Sequence, residues 1–171
     1  MWLFNNPVIQ AILLQISIIW PKKYAAPWVP TSIIEVHKML QLAEIGPEDL
    51  VYDLGCGDGR IIIVAARQYG SQAIGIEIDP LRYVWCQILI TILGLRDRVQ
   101  IVYGDFFKKD LSDADVVTCY LLPATNEKLE NKFLQELKAT TRVVSHDFLF
   151  PSLQLLRQDD QYNLYLYHPQ P

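Results

Sequence analysis

Cysteine and histidine are scarce in this 171-residue chain, with three of each. Cys56, Cys86 and Cys119 include no close-spaced pair, which excludes a zinc cluster or a disulfide framework and points to a reducing compartment. His37, His146 and His168 are equally scattered, so spacing indicates no metal site. Positive charge is also short. Fifteen Lys and Arg against 19 Asp and Glu leave a net charge of −4, and the longest basic runs are the pairs Lys22-Lys23 and Lys108-Lys109. Such a chain has no general attraction for a polyanion, so nucleic acid is not an expected partner. Internal repeats, low-complexity tracts and a second-domain linker are absent as well.

A long hydrophobic run is missing too. The nearest is Val8 to Trp20, thirteen residues bounded by Pro7 and Pro21 and interrupted by Gln10, Gln15 and Ser17. At ~1.5 Å per residue a helix of that length falls well short of a ~30 Å hydrocarbon core. No basic residue precedes the run and no small-x-small site closes it, which argues against a cleaved signal peptide. Three roles stay open: packing on the domain or a partner, lying on a membrane surface with Lys22-Lys23 against anionic lipid, or spanning. The expected organisation is a hydrophobic N-terminal segment over residues 1–23 and one domain over 24–171. The expected location is cytoplasmic, with membrane association through residues 8–20 as the variant.

What is present is an alternation of strand and helix patterns. Ser32-x-x-Glu35 has capping-box spacing and predicts a helix through Ala43, ended by Gly46-Pro47. Strands are expected over Leu50–Leu54, Ala73–Ile78, Val99–Tyr103, Asp115–Leu121 and Arg142–His146. Helices are expected over Asp58–Tyr69, Pro80–Leu93 and Thr125–Lys138. In the second of these, Leu81, Val84, Trp85, Ile88, Leu89 and Ile92 predict a stripe packed on a sheet. Leu153–Arg157 and Asn163–His168 flank a polar turn and predict a terminal hairpin. The expected fold is therefore α/β, a Rossmann-like doubly wound and mostly parallel sheet with a C-terminal β-hairpin. Ligands of such sheets bind at the carboxyl ends of the strands, where strand order reverses. Asp53, Glu77, Asp105 and Tyr120 fall at those ends.

The most informative stretch is Val51-Tyr52-Asp53-Leu54-Gly55-Cys56-Gly57-Asp58-Gly59. An apolar strand ends in an acid, and a glycine turn opens the next segment, allowing close backbone approach to a ligand. Asp53 sits where a dinucleotide would place its phosphates, so a cationic ligand is favoured there. Arg60 replaces the third glycine of a dinucleotide fingerprint, and no Gly-Lys-Ser/Thr follows to make a P-loop. S-adenosylmethionine carries an ammonium for Asp53. Glu77 can accept both ribose hydroxyls, and Asp105 can accept an adenine amine with the Phe106 N–H meeting a ring nitrogen. Asp58 and Asp79 can equally be helix N-terminal acids.

Asp53 to Arg60, Glu77 and Asp105 resemble the cofactor motifs of class I S-adenosylmethionine-dependent methyltransferases. More narrowly, Pro27-Trp28-Val29-Pro30-Thr31 and Tyr120-Leu121-Leu122-Pro123 resemble a small family of protein-lysine methyltransferases. That family includes enzymes acting on the ATP synthase c subunit and the adenine nucleotide translocase. The resemblance covers about residues 24 to 150, and Cys56 stands where several relatives carry serine. It implies a cofactor site of Thr31, Asp53, Gly55, Cys56, Gly57, Glu77, Ile78, Asp105, Phe106 and Tyr120. It also implies an acceptor channel at Tyr120 and Pro123, with Tyr24 and Trp28 as a lid and Asp147 and Phe148 as lesser candidates. The expected acceptor is a lysine amine of a protein, membrane proteins included. The alternatives are a small-molecule methyltransferase of the same fold and a non-catalytic binding module.

Overall fold

The computed structural model of the chain describes residues 4, 6–8, 11 and 29–169. Most of the apolar segment 8–20, together with Tyr24 and Trp28, lies outside the described residues.

Helix α1, Ile33–Leu42, opens on the expected capping box: the Glu35 N–H donates to Ser32 Oγ, and the Ser32 N–H donates to Glu35 Oε2 at 2.8 Å. There follow β1 (Leu50–Leu54), α2 (Arg60–Val64) with a π-helical turn (Ala65–Tyr69), and β2 (Gln72–Glu77). Next come α3 (Pro80–Ile92), β3 (Val99–Tyr103), β4 (Val116–Cys119), α4 (Pro123–Glu136) and β5 (Arg142–His146). The chain closes with β6 (Gln154–Asp159) and β7 (Leu164–His168). The sequence pattern places each of these elements; most bounds shift by one or two residues, and two differences are larger. The helix expected over 58–69 is part π-helical, and the fourth strand is trimmed to four residues.

The seven strands form one sheet in the order β3-β2-β1-β4-β5-β7-β6. The first five run parallel, and β7 pairs antiparallel with both β5 and β6 as the hairpin. Strand order reverses at β1 and β4, so a crevice opens at their carboxyl ends. Successive residues feed opposite faces. Val51, Val116 and Val144 join the cluster under α1, α2 and α3, whereas Tyr52, Val117 and Val143 join the one under α4.

Helix α3 corrects one expectation. Leu81, Val84, Ile88 and Ile92 face solvent, with Ile92 71% exposed, while Arg82, Cys86, Leu89 and Ile90 are buried. The inward face is turned by roughly one residue, about 100°, from the apolar stripe. The cause lies at the helix start: Asp79 caps it and Arg82 is drawn in beside Glu77 and Asp79. Anchoring that charged corner outweighs the periodicity of the apolar residues.

Candidate functional site

The turn after β1 is shaped by its glycines. Gly55, Gly57 and Gly59 adopt φ of 78°, 60° and 80°, a left-handed region costly for residues with a Cβ. A Cβ at Gly59 would also stand 3.0 Å from Cys86 Sγ. The turn is stitched to β2: the Gly55 and Cys56 N–H groups donate to the Ile76 carbonyl, and the Gly57 N–H donates to Glu77 Oε2 at 2.8 Å. Cys56 is buried in the core while Gly55 stays open to solvent.

Asp53 is 3% exposed, and its Oδ1 accepts from the Thr118 hydroxyl at 2.9 Å. Burial pushes its carboxyl up to about 7; the Thr118 bond works against this, while the charges of Glu77 and Asp58 add to it. A carboxylate held this dry is relieved by a cation brought against it.

Glu77 ends β2, buried. Its Oε1 accepts from the Asp79 N–H at 2.8 Å and its Oε2 from Gly57, leaving acceptor capacity on both oxygens. Burial raises its carboxyl, opposed chiefly by Arg82, whose Nε lies 3.7 Å from Oε2. Ile78, half-buried, separates Glu77 from Asp79, which caps α3 through the Leu81 and Arg82 N–H groups. The Gly104 N–H donates to the Glu77 carbonyl, bringing Asp105 and Phe106 alongside. Asp105 Oδ1 accepts from the Phe107 N–H and so caps a short 3-10 turn, Phe106–Lys108. A glycine cradle, a buried acceptor-only carboxylate and two further acids at adjoining strand ends fit the charge and donor pattern of S-adenosylmethionine.

Asp58 precedes the N-cap position, Gly59, and its Oδ1 accepts from the Arg60 N–H at 3.2 Å at the start of α2, but its main partner is a side chain. It holds the Arg60 guanidinium on both oxygens, with Nε at 2.9 Å from Oδ1, and both residues are buried. Arg60 Nη1 donates in turn to the Thr31 carbonyl, tying the glycine turn to the segment before α1 and fixing the buried Thr31 beside it. In the sequence Arg60 marks a departure from a dinucleotide fingerprint and ends the motif that starts at Asp53, and neither feature points to this pairing. A buried Asp-x-Arg pair gives no local signal.

The other end of the crevice is aromatic. Tyr120, just past β4, packs on the His146 ring with centroids 4.2 Å apart, and Phe148 lies 6.4 Å away. Burial and then the neighbouring Asp147 push the Tyr120 phenol up to about 12. Tyr120 borders a cavity of about 200 Å³ that also touches Thr31, Glu35, His146 and Asp147. Pro123 lies apart: it is the first residue of α4, exposed, and does not line that cavity. Among the described residues no helix is long and apolar enough to cross a membrane.

Residues 53–157 match the model of the ANTKMT methyltransferase domain. A protein-lysine N-methyltransferase from Saccharolobus islandicus is 48% identical over 71% of this chain and 76% of its own length. The mouse adenine nucleotide translocase lysine N-methyltransferase is 34% identical over 78% of this chain, which spans only 58% of that protein. A solved structure described as an RNA methyltransferase from Salinibacter ruber, in complex with S-adenosyl-L-homocysteine, is 42% identical. It superimposes with a TM-score of 0.77 over 81% of this chain and 91% of its own.

Proposed function

This chain belongs to the ANTKMT methyltransferase family and is an S-adenosylmethionine-dependent methyltransferase, and we propose that it methylates the side-chain amine of a lysine in a protein. The observation that carries the proposal is the 48% identity to a protein-lysine N-methyltransferase, in a chain whose crevice ends in a cavity lined by Glu35, Asp147, Tyr120 and Tyr162 and, among the described residues, by no Lys or Arg. When bound, S-adenosylmethionine supplies an electrophilic methyl carbon on a sulfonium leaving group.

The residues divide the work. Asp53 receives the cofactor's ammonium, and the Gly55–Gly57 turn with Cys56 and Thr31 lines its amino-acid end. Glu77 takes the ribose hydroxyls with Ile78 against the adenosine, and Asp105 with the Phe106 N–H takes the adenine edge. Tyr120, shared between cofactor and acceptor, orients the incoming amine so that nitrogen, methyl carbon and sulfur align. A lysine amine has a pKa of ~10.4 in water, so loss of its proton is part of the reaction. A membrane-embedded acceptor suits the apolar run 8–20.

RNA is the second reading, because the 42% identical structure carries that description. The net charge of −4 weighs against it, since phosphate contacts dominate affinity for RNA. The test is incubation of the purified protein with radiolabelled S-adenosylmethionine and host membrane, soluble-protein and RNA fractions. Label recovered as methyl-lysine, absent with Glu77→Ala, is the expected result. Label recovered in nuclease-sensitive material alone would overturn the lysine reading.

A further inference from the structure

The cavity beside Tyr120 is more than a continuation of the cofactor site. Its wall combines α1, through Glu35; the ends of β4 and β5, through Tyr120, His146 and Asp147; and the turn before β7, through Tyr162 and Asn163. His146 is 5% exposed, and its Nδ1 has no hydrogen-bond partner. Its Nε2 lies 3.9 Å from Glu35 Oε1 and 3.8 Å from Asp147 Oδ1. Both distances are beyond a hydrogen bond, so the ring stands between two carboxylates without engaging either. Tyr120 covers one face of the imidazole. The charged and titratable groups lining the cavity with the ring are Glu35, Asp147, Tyr120 and Tyr162; Lys38 Nζ sits 5.8 Å from the Tyr162 ring centroid, and Arg60 bonds the carbonyl of Thr31 in the cavity wall.

Asp147 is held there by the fold. It adopts φ 63° opposite Asn163 at φ 51°. The Asp147 N–H donates to the Asn163 carbonyl at 2.8 Å, and Asn163 Nδ2 donates to Asp147 Oδ1.

We propose that this cavity is the receiving site for the acceptor's alkylammonium group, Glu35 and Asp147 drawing in the cation and His146 Nε2 removing its proton. The inference rests on the lysine reading above and adds a base to it. The ammonium gives one proton to the imidazole, which becomes imidazolium between two carboxylates, and a neutral amine remains. The Tyr120 hydroxyl orients that amine. Its lone pair forms the new N–C bond while the C–S bond breaks with its electrons passing to sulfur, so the product nitrogen carries the positive charge. The imidazolium then releases its proton to water through the cavity mouth.

Three variants test the site: Glu35→Gln, which keeps the helix cap; Asp147→Asn, which tolerates the left-handed backbone; and His146→Asn. The first readout is the His146 ring proton signal in NMR as n-butylammonium is added to the complex with S-adenosylhomocysteine. The expected result is a saturable shift that the Glu35→Gln/Asp147→Asn double variant loses. With a lysine peptide, that double variant raises KM about ten-fold or more at unchanged cofactor affinity. His146→Asn lowers kcat about a hundred-fold with KM kept. Butylammonium binding equal to wild type in the double variant overturns the proposal, and so does cofactor affinity falling in step with peptide KM. A saturable shift in wild type that the double variant loses, with no methyl-lysine formed, supports the cation site and overturns only the lysine reading.

Discussion

Between Asp53 and Glu77 the site is assembled within a single strand–turn–helix–strand unit, mostly from backbone groups and buried acids. Around Tyr120 it is assembled from four separate segments, with Glu35 brought to His146 across 111 positions of sequence. The first end is fixed by local geometry that tolerates almost no added atoms. The second is a wall of side chains that only the sheet order brings together. The proposed cofactor end thus draws on backbone groups and buried acids close in sequence, the proposed acceptor end on side chains from distant segments, and the two ends should answer mutation differently.

The largest response is expected from Arg60. Arg60→Leu leaves the buried Asp58 carboxylate without its guanidinium and the Thr31 carbonyl without its donor. It should cost about 3–5 kcal/mol of stability by denaturant titration, with cofactor affinity falling alongside. A loss under 1 kcal/mol would mean that the turn and the α1 segment are not tied together. Gly75→Ala comes next. The added methyl would meet Cys56 Sγ and Ile62 Cδ1 at 2.7 Å and Ile101 Cδ1 at 2.9 Å, beneath the glycine turn. Overpacking of this kind should lower stability by about 2 kcal/mol, and an unchanged thermal midpoint would show slack in that core.

The acceptor end should instead yield kinetic effects on an intact fold. Tyr120→Phe is expected to cut turnover about ten-fold while cofactor affinity and melting temperature hold. Wild-type turnover would make the hydroxyl irrelevant. The smallest effect is expected from Ile92→Lys, within about 0.5 kcal/mol of wild type, because that side chain is 71% exposed. A loss of several kcal/mol there would restore the apolar stripe of α3 to the core.

The same division separates what could be read in the sequence from what could not. Asp53, the glycine turn and Glu77 lie at strand ends recognisable from apolar runs and glycines, and the capping box at Ser32 marked the start of α1. The Asp58–Arg60–Thr31 link and the Glu35–His146–Asp147 cluster were not legible, because pairing between distant segments leaves no periodic trace. Helix α3 departs from its apolar pattern for a related reason: a tertiary anchor at Arg82 overrides the amphipathic stripe. Pro123, singled out with the motif ending β4, begins a helix on the surface instead of lining the cavity.

The claim on which the account turns is that Asp53 meets the cofactor's cation as a carboxylate. Burial raises its pKa above the unfolded value, so in the free protein the folded state binds the proton more tightly, and ionisation costs stability as pH rises towards about 7. A cation that needs the ionised form should therefore bind more tightly as pH climbs through that range and level off above it. Calorimetric titration of S-adenosylmethionine between pH 5.5 and 8.5 should show that rise in wild type, and weak, flat binding in Asp53→Asn. Affinity in Asp53→Asn equal to wild type across the range would contradict the account.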